Sequence, residues 1–201
     1  MKLLVATGNR GKLREIAAAL GPAGIGVEGL DALDTPPSLR EEGDTFLANA
    51  REKAWTVARV TGRPVLADDS GLAVDALGGE PGVRSARFAG PGATDEDNNR
   101  LLLERLGGVP PERRTAAFVC SMVLALPGRG EVAAEARVHG RILEAPRGSG
   151  GFGYDPLFWV DELRATMAEL DPEVKNRISH RGKALRLLMP VLRELARPSS
   201  P

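Results

Sequence analysis

The chain has one cysteine, few aromatic residues and no excess of charge of either sign. Cys120 cannot form an internal disulfide, and because it lies in the apolar run 116–124 we predict a small buried side chain rather than a catalytic thiol. Lys plus Arg and Asp plus Glu number 27 each. The basic surplus typical of nucleic-acid-binding proteins is therefore missing, and we expect no nucleic-acid partner.

Long hydrophobic runs are also missing. No window approaches the roughly 18 apolar residues that a membrane span needs, and the apolar start of the chain is too short for a signal sequence. We expect a cytoplasmic protein with no membrane partner. With 201 residues, of which 42% are hydrophobic, the chain can bury one substantial core. We expect a single domain over residues 1–201, with a frayed tail from about residue 197.

Strand and helix patterns alternate along the first half of the chain. Apolar runs of strand length occur at 2–7, 64–67, 114–126, 131–142 and 157–160. Helical periodicity or capping residues occur at 12–20, 45–60, 94–106, 171 onward and 179–195. The residues Pro-Gly-Arg-Gly at 127–130 predict a hairpin. Together these patterns predict an α/β fold with a mixed sheet.

A donor-rich turn follows the first strand, where residues 7–12 read Thr-Gly-Asn-Arg-Gly-Lys. Glycines let backbone N–H groups approach an anion, and the start of the next helix favours negative charge. The spacing is not that of a P-loop. From this turn alone, a phosphate site and an ordinary strand-to-helix turn are equal alternatives.

A polar stripe marks the second helix. Thr45, Asn49 and Lys53 are four residues apart and so lie on one helix face. Carboxylates precede the helix at Glu41, Glu42 and Asp44. The helix dipole explains acids at this position, but it does not explain the stripe.

Two adjacent carboxylates, Asp68 and Asp69, are predicted to end the second buried strand. Neighbouring carboxylates are costly to ionise unless a cation shares the site, and Mg²⁺ prefers one or two carboxylates with waters and substrate phosphates. The alternative is a pair of turn acids that cap a helix. A catalytic role requires these acids to face the same pocket as the turn at residues 7–12.

Aromatic residues make up only 4% of the chain, yet four of them crowd one region. They are Phe152, Tyr154, Phe158 and Trp159. A ring beside the glycine-rich run 148–153 suits stacking on a purine, and Lys175, His180 and Arg181 could supply donors. His139 is assigned to the hairpin without a role.

Six motifs in order resemble the inosine triphosphate pyrophosphatase family, whose members clear dITP, ITP and XTP. They are T-G-N-x-G-K (7–12), E-x-G-x-T-F-x-x-N-A-x-x-K-A (41–54), A-D-D-S-G-L (67–72), P-G-x-x-S-A-R-F-A-G (81–90), G-F-G-Y-D-P-x-F (151–158) and S-H-R-G-x-A (179–184). The resemblance implies a long, twisted mixed β-sheet flanked by helices, two lobes with a cleft between them, and a homodimer.

The resemblance also implies a Mg²⁺-dependent hydrolysis of non-standard purine nucleoside triphosphates to the monophosphate and pyrophosphate. The metal ligands would be Glu41 and Asp69, with Asp69 also the general base and Ser70 on substrate. The triphosphate would be held by Thr7, Gly8, Asn9, Arg10, Gly11, Lys12, Asn49 and Lys53. The base would be bound by Phe152, Gly153, Tyr154, Asp155, Lys175, His180 and Arg181. Whether Glu42 or Asp68 also touches the metal stays open.

Two other functions are considered. A pyrophosphatase for other altered nucleotides, such as modified pyrimidines, would use the same residue types. A nucleotide-sensing or RNA-binding module without turnover is disfavoured, because a pure phosphate binder gains nothing from the extra negative charge of two carboxylates.

Overall fold

The computed structural model describes residues 2–197, and within this range seven strands form one sheet in the order β2-β1-β3-β4-β5-β6-β7. The strands are β1 Lys2–Val5, β2 Gly26–Glu28, β3 Val65–Val74, β4 Thr115–Leu126, β5 Gly130–Ile142, β6 Phe158–Val160 and β7 Ala165–Thr166. The α-helices of the same range are α1 Arg10–Leu20, α2 Phe46–Thr61, α3 Asp95–Arg105, α4 Pro172–Ile178 and α5 His180–Ala196.

The sheet is mixed, as the sequence predicted. Strand β1 pairs in parallel with β2 and with β3. Strand β6 pairs antiparallel with β5 and with β7. The long strands β4 and β5 are neighbours joined by three residues, which confirms the predicted hairpin.

The chain folds as two compact units. Unit 1 comprises the residues up to Asp69, Cys120–Ala136 and the residues from Arg181. Unit 2 comprises Ser70–Val119 and Arg137–His180. The expected single domain over residues 1–201 stays a prediction.

Unit 1 has apolar clusters built from alternate residues of the same strands. Leu3, Val5 and Leu66 pack with Ile16 of α1 and Leu188 of α5. Their strand neighbours belong to a cluster that includes residues of α2, with members Leu4, Ala6, Val65, Ala67, Ala50, Ala54 and Val57. This alternation follows from the two-residue period of a strand. Cys120 is fully buried in the first cluster, as predicted, and burial raises the pKa of its thiol.

Unit 2 encloses its own core. Leu102 and Leu106 from the α3 region pack with Phe118 and Phe158, whose ring centroids are 4.4 Å apart. The glycine-rich stretch 78–92 includes a 3₁₀ helix at Gly82–Arg87. Its Ser85 hydroxyl accepts the Leu72 N–H at 2.9 Å and donates to the Gly82 carbonyl at 2.6 Å.

Predicted capping residues begin and end several helices. Thr45 caps the start of α2, and Gly62 ends that helix in the left-handed conformation. Thr94 opens α3 with a capping box in which Asp97 is the reciprocal partner. Asp171 and Pro172 open α4. Local sequence therefore determines where these helices start.

The prediction that the second strand ends before Asp68 is wrong. Strand β3 continues from Val65 to Val74, so both carboxylates lie inside it rather than after it. Charged residues are normally excluded from a buried strand unless they are paired. Here each carboxylate has cationic or amide partners, and the backbone can therefore continue in the sheet.

Two further predictions concern the C-terminal tail and the absence of a membrane-spanning helix. The predicted frayed tail from about residue 197 falls almost wholly on residues 198–201, which lie outside the described residues. Within residues 2–197, the helices are too short or too polar to cross a bilayer.

Candidate active site

The turn after β1 is shaped by its own side chains. The Thr7 hydroxyl accepts the Asn9 N–H at 3.1 Å. The Asn9 side chain accepts the Lys12 N–H at 3.1 Å and so caps α1. Gly8 and Arg10 are exposed. The turn thus presents the start of a helix, which favours an anion.

Asp68 and Asp69 point to opposite faces of β3, because successive side chains of a strand alternate. Asp68 contacts Lys12 of α1 and Arg181 of α5. Asp69 contacts Asn49 and Lys53, both on α2. Two adjacent acids therefore belong to two different networks, both within unit 1.

The Asp68 network has a buried centre, formed by Asp68 and Arg181, and partly exposed partners in Lys12 and Glu15. Lys12 Nζ lies 3.2 Å from Asp68 Oδ2. Arg181, only 1% exposed, donates to the same oxygen from Nε and Nη2, each at 3.2 Å. The Nη1 atom of Arg181 donates to Glu15 of α1. Burial alone would raise the pKa of Asp68, but Lys12 and Arg181 outweigh it and hold that pKa below its usual range.

The Asp69 network joins α2 to the acidic loop before it. Asn49 Nδ2 donates to Asp69 Oδ2 at 2.9 Å, and Asn49 Oδ1 accepts the Gly43 N–H at 2.8 Å. Lys53 Nζ lies 2.5 Å from Glu41 Oε1 and 3.4 Å from Asp69 Oδ1. Two members of the predicted polar stripe, Asn49 and Lys53, thus meet the carboxylates, whereas the Thr45 hydroxyl caps the start of α2.

Burial and neighbouring charges together shift the pKa values of Asp69 and Lys53 in this network. Desolvation raises the pKa of Asp69, although Lys53, Lys12 and Asn49 oppose the shift. Desolvation also opposes the charged form of Lys53, but Asp69, Asp68 and Glu41 outweigh it and raise the pKa of that ammonium. Lys53 is therefore a cation that two carboxylates share.

The residues around Lys53 fit a Mg²⁺ site. Glu41 and Asp69 both contact one ammonium, so their oxygens already surround one centre of positive charge. Glu42 is exposed. Within residues 2–197, no group of three or more His, Cys, Asp and Glu side chains is placed to hold a metal. Mg²⁺ is usually bound by one or two carboxylates together with waters and substrate phosphates, and the pair Glu41 and Asp69 matches this preference.

A second cluster, in unit 2, contains several residues predicted to bind the base. Asp155 Oδ2 accepts the Phe152 N–H at 2.9 Å and the Lys175 ammonium at 2.6 Å. That ammonium also lies 5.0 Å from the centroid of the Phe152 ring. The sequence motif around residue 152 and the distant Lys175 therefore form one site, which we call the Phe152 cluster (Phe152, Asp155 and Lys175).

His180, Tyr154 and Phe158 are buried, whereas Trp159 is half-buried and His139 is exposed. The His180 ring stacks on Phe118 with centroids 4.8 Å apart. Tyr154 is buried, and its hydroxyl donates to the Ser85 carbonyl at 2.8 Å. Phe158 is fully buried. The crowding of aromatics in the sequence thus reflects the core of unit 2 as much as a binding surface. Any contact of Tyr154 with a ligand would come from its backbone.

Sequence reasoning gave no role to Glu15, Ser85 or the pair Asp95 and Asn99. It also left Asp68 unresolved. For Asp68 the sequence did contain a signal. Successive side chains of a strand point to opposite faces, so Asp68 and Asp69 must have different neighbours. For the others there was none, because each acts on a partner that is distant along the chain.

Comparison with known proteins agrees with the motifs. The model of the Ham1 family matches residues 3–191. The chain belongs to the Ham1 family. A dITP/XTP pyrophosphatase of Thermus thermophilus is 56% identical over 191 residues, covering 94% of this chain and 90% of that protein. One of Geobacter sulfurreducens is 54% identical over 187 residues, covering 93% and 94%. The resemblance found from the sequence is confirmed.

Solved structures of this Ham1 family have the same fold. A HAM1 protein from Coxiella burnetii matches with a TM-score of 0.86 and 40% identity, covering 96% of this chain and 99% of that one. A nucleoside-triphosphatase / dITP/XTP pyrophosphatase from Mycobacterium abscessus matches with a TM-score of 0.75 and 44% identity, covering 96% and 100%. The predicted α/β fold with a mixed sheet flanked by helices is confirmed.

Proposed function

We propose that the chain hydrolyses the non-standard purine nucleoside triphosphates dITP, ITP and XTP to the monophosphate and pyrophosphate, and so cleanses the cytoplasmic nucleotide pool. The observation that carries the proposal is the arrangement in unit 1 of two buried carboxylates with two lysines and a helix start. Two relatives named dITP/XTP pyrophosphatases are 54% and 56% identical to this chain over 93% and 94% of its length, and they support the substrate class.

In this proposal unit 1 supplies the triphosphate site. Lys12, Lys53 and the backbone N–H groups of the turn at residues 7–12 offset phosphate charge. Glu41 and Asp69 hold Mg²⁺, which when bound polarises the phosphate oxygens and neutralises charge that develops on them. Phosphoryl transfer depends mainly on such positioning and charge stabilisation.

The bond that breaks is the one between the α-phosphorus and its bridging oxygen. The oxygen of a water molecule attacks the α-phosphorus, and pyrophosphate leaves with the bridging oxygen. Asp69 accepts the proton that the water loses. Asn49, which donates to Asp69 Oδ2 at 2.9 Å, fixes the orientation of that carboxylate. A well-placed general base contributes about 10²–10⁴ in rate.

Base recognition is assigned in this proposal to the Phe152 cluster. Phe152 stacks on the purine, and the Phe152 cluster with His180 binds its edge. Donors aimed at the 6-keto oxygen of hypoxanthine or xanthine would face a 6-amino donor in adenine. Both donors would then lack an acceptor, and this allows the site to discriminate against adenine by a factor of about 10⁴ or more. Guanine shares the 6-keto group, so its exclusion must depend on the 2-position. Contacts of Tyr154 and Arg181 with the base stay predictions.

The test is product analysis with dITP and Mg²⁺, followed by phosphorus NMR. We expect one pyrophosphate per dIMP, no orthophosphate, and loss of turnover with EDTA that excess Mg²⁺ restores. Orthophosphate as the product would contradict attack at the α-phosphorus. A panel of dITP, XTP, dATP, dGTP and modified pyrimidine triphosphates separates the proposed substrates from the alternative class. Binding of dITP without turnover would indicate the sensing module instead.

We also propose that the chain acts as a homodimer, as the family resemblance implies. Light scattering after size exclusion should give twice the mass of 21.3 kDa. A mass of one chain at micromolar concentration would contradict this proposal.

A further inference from the structure

The segment that carries Phe152 is rich in glycine and has few side-chain anchors of its own. On one side, the Gly150 N–H donates to the Ala168 carbonyl at 3.0 Å. On the other, the buried Tyr154 donates its hydroxyl to the Ser85 carbonyl at 2.8 Å. Between these anchors, Gly151 and Gly153 both have positive φ, a region open to glycine at little cost. Within the segment, Asp155 holds the peptide groups of Phe152, but the conformation of the flanking glycines depends on contacts from outside it.

Helix α3 contacts this segment at one residue, from two side chains. The Asp95 Oδ2 atom accepts the Gly153 N–H at 2.7 Å. The Asn99 Nδ2 atom donates to the Gly153 carbonyl at 2.9 Å. Asp95 and Asn99 are four residues apart, so both lie on the same face of α3. All three residues belong to unit 2.

These two hydrogen bonds fix two successive peptide planes. The N–H of Gly153 belongs to the peptide that joins it to Phe152, and its carbonyl belongs to the peptide that joins it to Tyr154. Holding both planes sets φ and ψ of Gly153, which follows Phe152 directly and is one of the two glycines of this segment with a positive φ. Because Phe152 also donates its own N–H to Asp155, the same two planes determine how Phe152 faces Asp155 and Lys175.

We propose that Asp95 and Asn99 are specificity-determining positioning residues. They hold Gly153 from both sides, and through it they hold the Phe152 cluster in the arrangement that receives a purine base. This inference rests on the proposed function, in which the Phe152 cluster binds the base. Neither residue contacts substrate, so their loss should weaken base recognition without affecting the chemistry at Asp69.

The expected signature is a change in KM without a change in kcat. In Asp95→Ala and in Asn99→Ala, the KM for dITP should rise about three- to tenfold, the size of effect that one lost hydrogen bond produces. The kcat should stay within about twofold, and the preference for dITP over dATP should fall. Inorganic triphosphate has no base and is expected to compete for the triphosphate site, so its inhibition constant should stay within about twofold.

Matched variants separate this role from a general loss of structure. Glu96→Ala removes an exposed acid from the same first turn of α3 and should behave as the wild type. Asp95→Asn keeps an acceptor oxygen and should restore most of the lost affinity for dITP. If Asp95→Ala fails to fold, Asn99→Ala tests the same peptide from its carbonyl side.

The outcomes are distinguishable. An unchanged KM for dITP in both alanine variants would overturn the inference, as would a parallel rise in the inhibition constant of inorganic triphosphate. A wild-type protein that forms no pyrophosphate from dITP would instead overturn the proposed function, and the inference with it.

Discussion

The Lys12 ammonium lies 3.2 Å from the Oδ2 atom of Asp68. This contact joins the turn after β1 to the acidic pair of β3 within unit 1. The sequence hypothesis required both acids to face the same pocket as this turn. The contact bears this out for Asp68, whereas Asp69 points to the other face of β3, towards Asn49 and Lys53, and its shared pocket with the turn stays a prediction. The contact also assigns Asp68, rather than Asp69, as the carboxylate that holds Lys12.

Asp69→Asn should abolish most of the activity while binding persists. We expect kcat for dITP to fall about 10³-fold or more, because the variant removes the base and one metal ligand together. The KM should change little, since Lys12 and the turn at residues 7–12 remain. Pyrophosphate release measures both constants, and near-normal kcat would remove Asp69 from the mechanism.

Asp68→Asn should act mainly on stability. The variant leaves the buried guanidinium of Arg181 and the ammonium of Lys12 without their shared carboxylate, and breaking a buried ion pair costs about 3–5 kcal/mol. Urea unfolding followed by circular dichroism measures the loss. Asp69→Asn is the control, because burial already disfavours the charge of that carboxyl and its pKa is raised. Equal stability of the two variants would contradict the separation into two networks.

Glu15→Gln should destabilise the protein through Arg181. Glu15 lies on α1 and pairs with the Nη1 atom of a guanidinium that is otherwise held by Asp68. We expect a loss of about 1–3 kcal/mol in the free energy of unfolding, the usual range for a charged hydrogen bond. The exposed neighbour Arg14 provides the control variant Arg14→Gln. If both variants unfold at the same urea concentration, Glu15 does not support Arg181.

Asp97→Ala should lower stability in a pH-dependent way. The hydroxyl and N–H of Thr94 hold the pKa of Asp97 at about 2, below its ordinary value of 3.8. A lowered folded-state pKa means that the ionised carboxylate stabilises the fold above about pH 4, and that this contribution disappears as the pH falls towards 2. The difference in Tm between wild type and variant should therefore narrow from pH 5 to pH 2. A constant difference would show that the charge of Asp97 contributes nothing.

Much of the candidate site could be predicted from the sequence because its groups are local. The turn at residues 7–12, the stripe of Thr45, Asn49 and Lys53, and the glycine-rich segment around Phe152 are each patterns over a few residues. Helical spacing and capping rules are enough to place such side chains on one face. The six motifs in order then identified the family.

The extent of β3 could not be predicted, because two adjacent acids normally end a buried strand. What lets the strand continue is a set of partners from elsewhere in the chain, with Lys12 and Arg181 on one face and Asn49 and Lys53 on the other. The position of the Tyr154 hydroxyl could not be predicted either, because it donates to the Ser85 carbonyl, which is far away along the chain.

The sequence by itself determined the family, and it predicted the type of chemistry and the side chains proposed to perform it, since residue type and short-range spacing carry that information. Only the tertiary structure decided the division of labour between Asp68 and Asp69, and the dependence of Gly153 on α3. The physical reason is that the ionisation of a buried carboxylate and the orientation of a glycine peptide both depend on distant neighbours. Those neighbours come together only when the chain folds.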